Sequence, residues 1–215
     1  DLTKNEERFS LPIMGRIQSI DNAWDVYAMS TYNTITSISE SKLDSNIIYI
    51  GTDDGLIQST KDGGINWTKM TVDKLPKTPA SAFVNDLKTD LFDSKKAYIC
   101  LDNHKFGDYQ PYLFKTIDGG KSWKKITNGI PKNTLTWRIV QDHKNPNLLF
   151  LGTEYGVYIS LNQGEKWHKF SNGLPTIPVR DLTIQRREND LVLATFGRSF
   201  YVLDDYSPHK NFFQK

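Results

Sequence analysis

The stretch Ser59-Thr60-Lys61-Asp62-Gly63-Gly64-Ile65-Asn66-Trp67 decides the fold, because its spacing returns at Thr116-Ile117-Asp118-Gly119-Gly120-Lys121-Ser122-Trp123 and at Ser160-Leu161-Asn162-Gln163-Gly164-Glu165-Lys166-Trp167. In each copy a hydroxyl residue (Thr60, Thr116, Ser160) is followed two places on by Asp62, Asp118 or Asn162. Gly64, Gly120 or Gly164 comes at the fourth place and Trp67, Trp123 or Trp167 at the seventh. The pattern predicts one tight hairpin written three times. The carboxylate or amide accepts hydrogen bonds from backbone N–H groups of its own turn, and the glycine takes the positive φ the turn requires. The indole opens the return strand and covers the apolar side of the hairpin. Three of the five Trp hold this one position, so the spacing is a repeat rather than a coincidence.

Short runs bounded by turn residues flank these hairpins at 34–39, 47–51, 56–59 and 67–70, then at 81–88, 95–101, 112–115 and 122–126. They continue at 137–141, 148–152, 156–160 and 166–170, and at 179–185, 190–195 and 199–203. No segment of a dozen residues keeps apolar positions at helical spacing. Trp67 and Trp123 are 56 residues apart, and Trp123 and Trp167 are 44 apart. Repeats of that length with four strands each predict an all-β fold of four-stranded antiparallel β-propeller blades. The expected blades cover 34–70, 81–126, 135–170 and 179–205 of a region 34–208, the last lacking its outer strand. Extra length in the second repeat is placed in a loop at 102–110. Residues 1–33 read as a long connecting loop, either disordered or packed over the blades through Ile17, Ile20, Trp24, Val26 and Tyr27, and 209–215 as a tail.

These residues carry a family resemblance. The repeat is similar to the Asp-box (BNR) repeat of sialidases, of sortilin-type ectodomains and of xyloglucan-active two-propeller glycosidases. Gly51-Thr52-Asp53-Asp54-Gly55, Pro111-Tyr112-Leu113-Phe114-Lys115-Thr116, Gly152-Thr153-Glu154-Tyr155-Gly156 and Gly197-Arg198-Ser199-Phe200-Tyr201-Val202-Leu203-Asp204-Asp205 resemble large secreted bacterial proteins of the sortilin-like, BNR-repeat glycosyl hydrolase kind. The resemblance implies a secreted, periplasmic or cell-surface protein. It also implies that these blades close a seven-bladed propeller, with the rest of the parent propeller as one partner. Asp boxes are structural in every such family, so the likeness speaks to fold rather than to activity.

Bulk composition narrows the function classes. A formal net charge of +2 with scattered Lys gives no footprint for nucleic acid. No apolar run reaches the roughly 20 residues of a membrane helix. The chain opens on Asp1 without Met or a signal peptide, as expected of a piece of a longer protein. The lone Cys100 excludes an internal disulfide and sits in an apolar run, where an inert buried thiol is expected. His143, His168 and His209 read as solvated, and the sequon at Asn66 as fortuitous.

In a meandering blade the loops joining the second and third strands share one face of the disc with the segments leading into each first strand. That face is expected to gather the ligand-binding candidates Asp53, Asp54, His104, Asp108, Tyr109, Glu154, Tyr155 and Arg198. Each has a plainer role open to it. Asp53, Asp54 and Glu154 precede glycine in tight turns, and Arg198 either clamps an anion or braces Asp204 or Asp205. Asp102, His104 and Asp108 match no metal-ligand spacing, so neither metal nor cofactor is expected. Paired carboxylates at glycosidase separation leave Asp54, Asp108 and Glu154 as catalytic candidates. The sialidase alternative, with an arginine cluster around a carboxylate, has Arg138, Arg180 and Arg198 available but none in a sialidase context. Three functions stand: a propeller presenting loops to a glycan or protein partner, part of a glycoside hydrolase whose remaining catalytic residues lie elsewhere, or a structural scaffold.

Overall fold

The computed structural model describes residues 1–5, 7–10, 12–13, 16–17, 32–171 and 173–208. The expectations for Ile20, Trp24, Val26, Tyr27, His209 and the tail lie outside these residues. Of the leading segment, β1 (Pro12–Ile13) and β2 (Arg16–Ile17) pair antiparallel. Residues 1–5 lie against the first blade, where Gln58 Nε2 donates to the Leu2 carbonyl at 2.7 Å.

Four antiparallel sheets come next, each with its strands in chain order. The first holds β3 (Ile35–Glu40), β4 (Ile48–Thr52), β5 (Leu56–Thr60) and β6 (Thr68–Thr71). The second holds β7 (Phe83–Thr89), β8 (Ala97–Asn103), β9 (Asp108–Thr116) and β10 (Lys124–Lys125). The third holds β11 (Thr136–Gln141), β12 (Leu149–Thr153), β13 (Gly156–Ser160) and β14 (His168–Phe170). In the fourth the described residues form β15 (Val179–Gln185), β16 (Asp190–Thr195) and β17 (Phe200–Leu203). First strands of successive sheets lie against one another, which makes these sheets β-propeller blades with their first strands innermost.

Three details depart from what the sequence predicts. The stretch 102–110 is not an irregular loop: β8 and β9 run on to pair Asn103 with Asp108, and one 3-10 turn, His104–Phe106, closes at Gly107 with φ +74°. Each indole precedes its return strand instead of opening it, since pairing starts at Thr68, Lys124 and His168. His143 and His168 are half-buried rather than solvated.

The three repeated turns share one hydrogen-bond scheme. The hydroxyl donates to the residue two places on (Thr60 to Asp62 2.7 Å, Thr116 to Asp118 2.8 Å, Ser160 to Asn162 2.9 Å). It also accepts the amide of Gly64, Gly120 or Gly164, whose φ values are +98°, +85° and +84°. The side-chain oxygen then takes the amide of Asn66, Ser122 or Lys166 at 2.9 Å. Asn66 further donates its side-chain amide to Asp62 at 2.8 Å, so its part is in the turn.

Burial is concentrated where blades meet. Tyr49 and Ile57 pack with Val84 and Leu87, Tyr98 and Leu113 with Ile139, and Phe150 and Val157 with Val179 and Leu182. Small residues permit the approach. A Cβ on Gly51 would lie 2.2 Å from Val84 Cγ1, and one on Gly152 2.8 Å from Leu182 Cδ2. Cys100 holds the corresponding place in β8, where burial pushes its thiol pKa well up and leaves it inert. Trp123 and Trp167 join the clusters between blades, the latter donating to the Ile126 carbonyl of the preceding blade at 2.7 Å. Between the third and fourth blades Tyr206 serves instead, edge-on to Phe150 and bonded to Asp142. Trp67 donates within its own turn, to the Gly64 carbonyl at 2.9 Å, and is only partly buried.

Replacing Trp123 or Trp167 with Ala is expected to cost about 3–5 kcal/mol in urea unfolding. Trp67→Ala should cost clearly less, and equal losses at all three would contradict the junction account. The turn carboxylates add a pH dependence. Asp62 is held down to about 2, chiefly by the Asn66 amide, and Asp118 to about 2, chiefly by the Ser122 side chain, from an ordinary 3.8. Groups with depressed folded-state pKa stabilise above the unfolded value and lose that contribution as pH falls from 3.8 toward about 2. A chain carrying both Asp62→Asn and Asp118→Asn should therefore show a shallower loss of stability across that window, the third turn already having Asn162; an unchanged acid slope would refute this.

Candidate functional site

Each first strand carries a register break at its loop-face end, between Ile35 and Ser37, Val84 and Asp86, Thr136 and Arg138, and Val179 and Asp181. The extra residue, Thr36, Asn85, Trp137 or Arg180, is thereby re-aimed out of the ladder. Thr36 Oγ1 donates to Val84 O at 2.5 Å and Asn85 Nδ2 to Thr136 O at 3.0 Å, each reaching the next blade. At the third and fourth positions the two extra side chains meet each other: the Arg180 guanidinium lies 3.7 Å from the Trp137 ring centroid.

This pair is the centre of a row of aromatic and cationic groups across the loop face. Phe196 stands 5.5 Å from the same guanidinium. Glu154 Oε2 accepts from Trp137 Nε1 at 3.1 Å and lies 3.9 Å from Arg180 Nη2. The His104 ring meets Trp137 edge-on at 5.9 Å. In the second blade Lys105 Nζ sits 4.1 Å over the Phe83 ring, which Tyr32 meets edge-on at 6.3 Å. Burial lowers the pKa of Lys105, opposed by Asp102 and Asp53. Phe106, Tyr109, Tyr155 and Phe196 are exposed around the row.

The expected ligand residues divide into two groups. Asp53 and Asp54 are buried beneath the face rather than presented on it. Asp53 accepts the Thr34 amide at 2.7 Å, and Asp54 accepts the Lys4 amide at 2.6 Å and the Thr52 hydroxyl. These carboxylates hold the loop and the leading segment in place. Asp102 is likewise buried and bonded to the His104 ring and amide. Asp108 takes the Tyr112 hydroxyl at 2.6 Å and the Gln110 amide at 3.1 Å; burial first, then Asp108, raises the Tyr112 pKa. Tyr109, Tyr155 and Arg198 are presented outward, and Glu154 joins the row through Trp137.

The three arginines do not converge. Arg138 is drawn inward to Asp86 at 3.2 Å and Asp181 at 3.7 Å, Arg180 lies on Trp137, and Arg198 stands exposed beyond β16. Among the described residues no group of three His, Cys, Asp or Glu is placed to hold a metal ion. No helix among them is long and apolar enough to cross a membrane. A concavity of about 390 Å³ lies at the opposite end of the first strands, lined in part by Lys42, Lys88, Gln141 and Arg186. Trp137 and Phe83 were not legible as site residues, because nothing in their flanking sequence marks a register break.

No protein-family model matches the chain, and a search of curated proteins finds no match. Solved structures do match. The GH74 enzyme of Niastella koreensis is 14% identical with a TM-score of 0.63, covering 81% of this chain and 29% of its own. YCF48 bound to a D1 peptide is 18% identical with a TM-score of 0.57, covering 81% and 52%. The extracellular domain of a one-component system from B. thetaiotaomicron is 11% identical with a TM-score of 0.58, covering 80% and 21%. The chain thus spans about half of YCF48 and a smaller share of the other two. At these identities the likeness is one of fold.

Arg180→Ala should uncover the Trp137 ring, shifting tryptophan emission to the red at a stability cost of about 0.5–2 kcal/mol, the range of cation–π contacts. Emission unchanged from the parent protein would contradict the stacked arrangement.

Proposed function

We propose that this chain is a β-propeller module of the Asp-box kind, part of a secreted or cell-surface protein, that binds a glycan or protein partner across its loop face. The observation that carries this reading is the outward set of Tyr109, Tyr155 and Phe196 around an arginine held over the Trp137 ring. Aromatic rings offer area at small entropic cost, and a stacked guanidinium keeps its donor edge oriented before a ligand arrives. Such an open surface suits an extended ligand that covers several side chains, as glycan chains and protein surfaces do, better than a small molecule, which favours an enclosed cleft. Extracellular placement is supported by the repeat's resemblance to secreted proteins and by the fold shared with an extracellular domain.

A hydrolase reading retains Asp108 and Glu154, which are half-buried on this face, and draws on the shared fold with a GH74 enzyme. Both carboxylates already serve neighbouring donors, Tyr112 and Trp137, which favours positioning over proton transfer.

Titration against arrayed glycans and against candidate protein partners tests the proposal. Tyr155→Ala and Phe196→Ala, both exposed, should leave folding intact while each weakens binding by about tenfold or more, as hot-spot aromatics do. Binding undiminished in both variants would overturn the loop-face reading. Turnover of β-glucan or sialoside that is abolished by Asp108→Asn or Glu154→Gln would replace it with the hydrolase.

A further inference from the structure

The repeated turns lie on the face opposite the loop face, and a concavity of about 450 Å³ opens between the first two of them. All of its lining comes from the first and second blades. Ile47 and Ile117 give it apolar wall, and Lys61, Lys95 and Lys121, all exposed, supply its charge. Lys61 Nζ reaches across to the second turn, where a Cβ on Gly119 would stand 3.1 Å from it. The three ammonium groups enter no ion pair or hydrogen bond among the described residues. The carboxylate in the lining, Asp118, has both oxygens engaged by its own turn. Oδ1 accepts the Thr116 hydroxyl at 2.8 Å and the Ser122 amide at 2.9 Å, and Oδ2 accepts the Ser122 hydroxyl at 2.5 Å.

A buried donor adds to the three cations. Tyr49 lines the same cleft and is 1% exposed, and its hydroxyl has no hydrogen-bond partner among the described residues. The register places Tyr98 at the same point of the second blade, paired with Lys115 as Tyr49 is with Ser59. The Tyr98 hydroxyl donates to Asp90 at 2.9 Å. In the first blade Ser41 stands where the second has Asp90, each amide bonded to the carbonyl that precedes the second strand. The Ser41 hydroxyl accepts the Leu43 amide at 3.2 Å. The carboxylate that satisfies Tyr98 is therefore missing for Tyr49, although a buried hydroxyl ordinarily finds an acceptor.

The next junction shows what such a cleft takes up. Five places past the hydroxyl of the turn the second blade has Lys121 and the third has Glu165. Glu165 receives Lys115 at 3.4 Å and Lys124 at 2.9 Å from the second blade, and Lys115 also donates to the Gln163 carbonyl at 3.0 Å. A carboxylate from the chain itself thus neutralises the lysines of that junction. At the first junction the corresponding place carries a further lysine.

We infer that the cleft between the first two turns is a binding site for a small organic polyanion, a molecule bearing two or more sulfate, phosphate or carboxylate groups. Lys61, Lys95 and Lys121 supply the counter-charge, the Tyr49 hydroxyl donates a hydrogen bond to one anionic oxygen, and Ile47 and Ile117 pack against the ligand's carbon frame. Charge-assisted bonds of this kind are the strong ones. The volume lies within the range of about 300–1,000 Å³ usual for small-molecule sites. This site is separate from the loop face, and its occupancy does not depend on what binds there.

Calorimetric titration of the intact chain with fructose bisphosphate, a disulfated disaccharide and citrate, with sucrose as the uncharged control, tests the inference. At least one charged probe should bind saturably and sucrose should not, and the tightest of the three identifies the preferred anionic group. Lys61→Gln, Lys95→Gln and Lys121→Gln, at exposed positions, should each weaken binding by about tenfold while circular dichroism stays unchanged. Tyr49→Phe, which keeps the packed ring, should weaken it as well, a loss that surface charge alone would not produce. Lys169→Gln, exposed on β14, should leave affinity unchanged. Failure of all three charged probes to bind would overturn the inference. Equal weakening by Lys169→Gln, or undiminished binding in Tyr49→Phe and the three cleft variants, would overturn it too.

Discussion

A radial sheet hides neither of its faces by itself, so this fold depends on the first strand of one blade lying close against the second strand of the blade before. Gly51 and Gly152 permit that approach because any side chain would strike Val84 or Leu182. Cys100 fills the same place as a small apolar side chain. The clusters that hold most of the buried apolar side chains lie along these contacts, where removal of apolar surface from water gives most of the stability. Tyr98 and Tyr206, bonded to Asp90 and Asp142, place a hydroxyl beside a buried carboxylate and satisfy it, as burial of polar atoms demands.

The repeated turns act on the same junctions from outside. Their hydrogen bonds are local and close a loop of a few residues, which fixes where the indole emerges. In the second and third blades that indole reaches the neighbouring blade, so a local backbone geometry becomes a contact between sheets. The first turn makes the same bonds, yet its Trp67 stays only partly buried. The turn is thus complete without the junction, and the junction is what buries the ring.

The candidate site grows out of the register breaks in the first strands. In the first two blades the extra side chain, Thr36 or Asn85, reaches a carbonyl of the next blade. In the last two, Trp137 donates instead to Glu154 of its own blade, and Arg180 lies over the Trp137 ring. One structural device therefore ties blades together on one side of the face and builds an oriented aromatic and cationic surface on the other. Asp53, Asp102, Glu154 and Phe196 occupy equivalent places at the ends of the second strands, and the groups nearest each of them set its role. Asp53 binds the backbone before β3, Asp102 binds His104, and Glu154 binds an indole.

From the amino-acid order alone came the repeat, the turn chemistry, the number and order of the blade strands and the face on which loops collect, though not the β1–β2 pair of the leading segment. All of these rest on interactions within a few residues of one another, such as a hydroxyl, a carboxylate and a glycine at constant spacing. The exact ends of β6, β9 and β10 did not, because strand pairing extends or stops according to partners dozens of residues away. Tertiary structure alone decided that Asp53 and Asp54 lie under the surface, that Trp67 differs from Trp123 and Trp167, and that Arg180 rests on Trp137. Each of those outcomes depends on which blade stands beside which, and a pattern that repeats identically along the chain carries no mark of its neighbour.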